Sequence, residues 1–219
     1  MDWTRPLDGY CERLDPGFWA EPVNAITNAA FVLVALVMAL RLRGSGLAMA
    51  SALNALLAAI GVGSFLFHTF ATPWAAAADV LPIAGFVLLY IFAASRDFLR
   101  LTPRWSATAV CAFLPVAGLL VPVLRHVPLL GVSAGYLPVP LMIVLYAWLV
   151  RRQTALSRGL LTGAGLLLLS LTFRSLDMTL CAALPAGTHF VWHILNAVML
   201  GWMIELYRRH RLAPPAPQG

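Results

Sequence analysis

The sequence has no lysine; all fifteen basic residues are arginine. Charge of either sign is scarce, 11% of 219 residues, and only nine residues are acidic. Cysteine is scarcer: Cys11, Cys111 and Cys181 are too few for a disulfide scaffold, though enough for one pair. No basic stretch leads into an apolar run within the first 22 residues, so no cleavable signal peptide is expected. No internal repeat and no second domain is visible. What is abundant is apolar: 61% of the chain, with a mean hydropathy of +0.83. Long, nearly uncharged apolar runs read as membrane spans.

Seven such runs are present, at about 24–41, 47–70, 74–94, 105–123, 132–150, 159–180 and 188–207. Each is about long enough for a spanning helix. The expected fold is therefore all-α: an integral membrane bundle of seven transmembrane helices. Residues 1–210 form one domain, in which 1–23 are an acidic N-terminal tail. Residues 211–219, rich in proline, read as a disordered C-terminal tail. Pro115 and Pro122 in the fourth run, and Pro138 and Pro140 in the fifth, predict kinks or late helix starts.

The isoelectric point near 9.9 could suggest a nucleic-acid partner. The arginines instead lie in short loops between apolar runs, so they read as topology signals and no nucleic-acid partner is expected. One set of loops holds eleven of them and the other holds Arg5, Arg13 and Arg125. The arginine-rich side is cytoplasmic. The N-terminus is then outside and the C-terminus cytoplasmic, in a multi-pass protein of a plasma or inner membrane.

That topology gives one depth to residues far apart in sequence. His68 falls near the outer end of the second span and Asp79 in the first turns of the third. Arg174, Asp177 and Cys181 fall near the outer end of the sixth, and His189 and His193 open the seventh. Ionisable groups within the membrane are expensive and usually functional. His189 and His193 are spaced i, i+4 and share a helix face. With His68 they make a three-imidazole set that suits zinc with an open fourth position. The plainer alternative is a set of packed polar residues. The tail adds Asp2, Asp8, Glu12, Asp15 and Glu21, five acids within 21 residues. These are either a solvated face or the ligands of a hard cation such as calcium. Asn24 and Asn28 suit either helix entry and packing or hydrogen bonds to neighbouring helices.

These residues resemble the alkaline ceramidase family, in the superfamily that also holds progestin/adipoQ receptors and GPI-lipid remodelling proteins. Tyr10-Cys11-Glu12, Trp19-Ala20-Glu21-Pro22-x-Asn24-x-x-Thr27-Asn28, Gly63-Ser64-x-x-x-His68, Asp79-x-Leu81-Pro82, Asp177-x-x-x-Cys181 and His189-x-x-x-His193 follow that family's order. The resemblance implies a zinc ion on His68, His189 and His193, a water-holding Asp79, and Ser64 as an active-site hydroxyl. It implies calcium in the tail, with Glu12 and Glu21 the best matches and Asp8 or Asp15 in support. Asp8 is one residue out of register, and Leu14 stands where eukaryotic members place an asparagine. Both Cys11 and Cys181 lie in matched motifs and on the outer side, so the resemblance points to a disulfide between them.

The chemistry implied is metal-assisted hydrolysis of the amide of a ceramide-like membrane lipid, with Asp79 as base and then acid. Ser64 is either an oxyanion donor or a small residue that lets helices approach. Asp177 either orients a ligand imidazole or pairs with Arg174 at i, i+3. A related hydrolase acting on another lipid ester or amide, and a non-enzymatic seven-helix receptor or transporter, are the alternatives. The oligomeric state is not legible.

Overall fold

The computed structural model describes residues 2–213. Of the expected disordered tail, residues 214–219 lie outside the described residues, whereas Arg211 and Leu212 continue the last helix. The helices are α1 (Pro22–Thr27), α2 (Ala29–Leu42), α3 (Ala48–Phe70), α4 (Pro73–Asp97), α5 (Pro103–Leu124), α6 (Pro138–Leu149), α7 (Thr154–Leu180) and α8 (His189–Leu212). Among the described residues there is no strand.

Proline sets several of the starts. Pro22, Pro73, Pro103 and Pro138 sit in the first turn of α1, α4, α5 and α6, where the missing N–H would have had no helical partner. Thr102 adds a side-chain cap by accepting from the Trp105 N–H. Helix α5 continues through Pro115 and Pro122. The fifth apolar run, by contrast, starts late: a single 3₁₀ turn at Gly131–Ser133 precedes α6.

Six helical stretches are long and apolar enough to cross a membrane, counting Pro22–Leu42 as one; α6, at 12 residues, is shorter. They fit a multi-pass membrane protein. The outer surface agrees, because Leu33, Leu36, Leu81, Trp105 and Leu119 are exposed, and a soluble monomer rarely shows so much contiguous apolar surface. Inside, Phe31, Leu53, Leu57, Ile60, Leu171 and Ile204 are fully buried.

Packing order positions the site. Helix α3 lies against α4 along most of its length, and α7 likewise against α8; α2 bridges α3 and α8. The turn between α3 and α4 is only Ala71 and Thr72, with Ala71 in the left-handed region. The end of α3 therefore sits beside the start of α4, and α3 also packs directly against α8.

A candidate metal centre at one end of the bundle

Helix α3 delivers Ser64 and His68 in its last two turns, and α4 delivers Asp79 in its second. Gly63 makes this possible. A Cβ on it would run into the backbone carbonyl of Ala78, so only glycine lets the two backbones lie this close. Helix α8 supplies His189 and His193 from its first two turns. The three histidines are at most 1% exposed. One ring nitrogen from each lies within 4.8 Å of the others; among the described residues they form the one such group able to hold a metal ion.

Hydrogen bonding fixes which nitrogens are free. His68 Nδ1 lies 2.6 Å from Glu21 Oε2. A carboxylate only accepts, so Nδ1 carries the proton and Nε2 keeps a bare lone pair. The Thr27 hydroxyl lies 2.8 Å from Val23 O and 3.1 Å from Asn24 O. It gives its one proton to the backbone, so it accepts from His193 Nδ1 at 3.0 Å. His193 Nε2 is then bare as well. The two Nε2 atoms face each other at 3.1 Å. With both rings neutral in these tautomers, two lone pairs meet there, an arrangement that a shared cation stabilises. Ser64 Oγ, Asp79 Oδ1 and His189 Nδ1 are also buried without a hydrogen-bond partner, whereas buried polar atoms are normally satisfied. Asp79 lies beside Ser64 and His68. The donor set, its tautomers and its unpartnered atoms fit a metal ion with a polar ligand near Asp79.

The tail closes over this centre. Cys11 and Cys181 are joined in a disulfide, with Cα atoms 5.4 Å apart; Cys111 is free and exposed. Tyr10 stacks on His189 with ring centroids 3.8 Å apart, and burial pushes its phenol up to about 12. Asp177 hydrogen-bonds to neither an imidazole nor Arg174, which differs from both sequence readings. Its Oδ1 accepts from the backbone N–H groups of Thr188 and His189, and its Oδ2 from that of Cys11. It thus anchors the start of α8, where an anion is favoured, and ties the tail to it. Gly187, with φ of 62°, lies so close to Asp177 and Cys11 that a Cβ there would clash with both. Arg174 instead donates to Ser133 Oγ at 3.1 Å and lies over the Tyr136 ring.

Three of the four tail acids expected to share calcium make hydrogen bonds. Glu12 accepts from the N–H groups of Val23 and Asn24 at the start of α1. Asp15 accepts from the Gly17 N–H. Asp8 has no side-chain hydrogen bond among the described residues. Glu21 faces the histidines: burial raises its carboxyl, but hydrogen bonds from His68, Arg13 and Asn24 outweigh that and hold it below the usual carboxylate range. Asn24 donates to Glu21, and Asn28 donates to the Asn24 carbonyl of its own helix segment rather than to a neighbour.

Thr27, Tyr10 and Arg13 touch or support the centre and were absent from the sequence-derived site. Thr27 and Tyr10 lay within the quoted motifs, which was the available signal. Arg13 had only its position among the tail acids.

The ceramidase family profile matches residues 11–214, most of the chain and all of these residues except Tyr10. No curated protein matches the sequence.

Proposed function

Because the chain belongs to the ceramidase family, a family of ceramide-hydrolysing membrane enzymes, we propose that it is a zinc-dependent amidase. It hydrolyses the N-acyl bond of ceramide-like lipids to a free fatty acid and a sphingoid base. The observation that carries the reading is the convergence of three buried histidines on one point, with His68 Nε2 and His193 Nε2 3.1 Å apart. His68, His189 and His193 would hold the ion, which when bound acts as a Lewis acid and brings the pKa of water toward about 7.

The remaining work falls to the chain's own groups. Asp79 takes a proton from the attacking water at its carboxylate and delivers it to the departing amine nitrogen as the C–N bond breaks. The water oxygen ends on the acyl carbon. Ser64, unpartnered and facing the same space, donates its hydroxyl to the oxyanion that develops on the former carbonyl. Glu21 and Thr27 hold the His68 and His193 rings in the tautomers that present Nε2.

The bundle also offers room for a chain. An apolar cavity runs between α4, α6, α7 and α8, lined by residues such as Ile83, Phe86, Ile143, Leu167 and Trp192. Trp192 adjoins His193, so the cavity lies next to the centre. Hydrocarbon burial there suits an acyl or sphingoid chain. We read α6 with the turn before it as the seventh span. The N-terminus and the histidine centre then lie outside and the C-terminus in the cytoplasm.

The test is fatty-acid release from a panel of N-acyl lipids and matched esters by the purified full chain. Release from ceramides is expected. Release from esters alone assigns a different hydrolase of this architecture, and release from neither removes the enzyme reading.

A further inference from the structure

The tail contains a cation of its own. Arg13 is 6% exposed, in a segment otherwise dominated by acids. Its Nε donates to Glu21 Oε1 at 2.5 Å. One terminal nitrogen donates to the carbonyls of Asp15 and Gly17, at 3.2 and 3.5 Å, and the other to the carbonyl of His68, at 3.1 Å. A carboxylate and backbone carbonyls are the kinds of oxygen that a hard divalent ion takes as part of its shell; three of the four come from the tail and the fourth, that of His68, from the end of α3. Here the planar guanidinium, with its fixed fork of donors, takes all four.

Two of those contacts converge on one histidine. Arg13 holds the main chain of His68 directly, and it holds the ring through Glu21, whose other oxygen meets His68 Nδ1. A buried carboxylate without a countercharge is costly. With Arg13 beside it, Glu21 keeps its charge and its place against the imidazole.

We propose that Arg13 is a tethered cation that stands in the tail where a divalent ion would otherwise bind, and that it positions His68 through Glu21. Assembly of the histidine centre then needs no calcium. The proposal rests on the metal reading of the three histidines given above. Arg13 touches neither substrate nor ion, so it is a positioning residue.

The experiment uses the purified full chain and two variants, Arg13→Lys and Arg13→Gln. Zinc affinity is measured by competition with a chromophoric chelator, and melting temperature in calcium and in EGTA. The wild type is expected to melt at the same temperature in both. Zinc affinity should fall in the order wild type, Lys, Gln, with Gln weaker by about 10–100-fold, the usual cost of losing a partner behind a metal ligand. Lysine keeps the charge but not the fork, which places it between. Methylguanidine added to the Gln variant should restore part of the affinity. Wild-type zinc affinity in Arg13→Gln, or a calcium-dependent rise in wild-type melting temperature, overturns the proposal while leaving the zinc enzyme intact. A wild type that binds no zinc overturns the metal reading itself and this proposal with it.

Discussion

At the end of the bundle where α4 and α8 finish, carboxylates face arginines. Glu205 meets Arg208 at 2.8 Å, Arg209 at 2.7 Å and Arg41 at 3.4 Å. Asp97 meets Arg211 and accepts from the Tyr207 hydroxyl at 2.6 Å. At the opposite end, where α4 and α8 begin, Asp79 has a buried oxygen with no partner, Ser64 is likewise unpartnered, and two imidazole Nε2 atoms lie 3.1 Å apart. The same two helices thus carry a satisfied polar cluster at one end and an unsatisfied one at the other. The first closes its own hydrogen bonds and is complete as it stands. The second leaves polar atoms unpartnered, and that incompleteness, rather than the presence of charge, is what the metal reading accounts for.

The sharpest way to break this contrast is Asp79→Asn. The amide keeps the shape but cannot take a proton. Turnover should fall by about 10²–10⁴-fold with metal content unchanged, read by fatty-acid release beside elemental analysis. Near-normal turnover would remove Asp79 from the mechanism. Next in size is the paired variant Cys11→Ser, Cys181→Ser. Its bridge closes a loop across 170 residues, and loss of such a link typically costs about 2–5 kcal/mol. Thermal melting should drop, and free-thiol labelling of the unreduced wild type should find Cys111 alone.

Glu21→Gln tests the link between tail and centre. It leaves two donors, Arg13 and His68, facing a neutral amide, and zinc affinity should weaken by about 10–100-fold. Unchanged affinity would reduce Glu21 to a packing residue. Smallest is Glu205→Gln at the satisfied end. Arg41 and Arg209 are more than half exposed, whereas Arg208 is about a quarter exposed and Glu205 is buried, so the loss falls on local stability and not on the distant centre. Turnover and zinc affinity should not move; a loss of either would mean that the two ends are coupled.

The contrast also explains what could be read in advance. Apolar run lengths and first-turn prolines are local, so the helices were legible, including the late start of α6 ahead of Pro138. The meeting of His68 with Asp79 follows from a two-residue turn, and that of His189 with His193 from helical spacing. The tail was different. It has no periodicity, and its residues acquire partners only when the chain folds back over the bundle. The charge count and the family resemblance pointed to calcium on Asp8, Glu12, Asp15 and Glu21, but neither could tell that Glu12 meets the start of α1, Asp15 a local turn and Glu21 the His68 ring. Asp177 was misread for a related reason: its spacing to Arg174 suggests a pair, but its partners are backbone N–H groups that no side-chain pattern reveals.

The central claim is that three buried histidines share one zinc ion. Elemental analysis combined with zinc K-edge X-ray absorption, on the wild type and on His193→Ala, tests it most directly. The account predicts one zinc per chain, with imidazole nitrogens at about 2.0–2.1 Å, lost from the variant while its helical circular dichroism persists. A wild type without stoichiometric metal, or full zinc occupancy in His193→Ala, would contradict it.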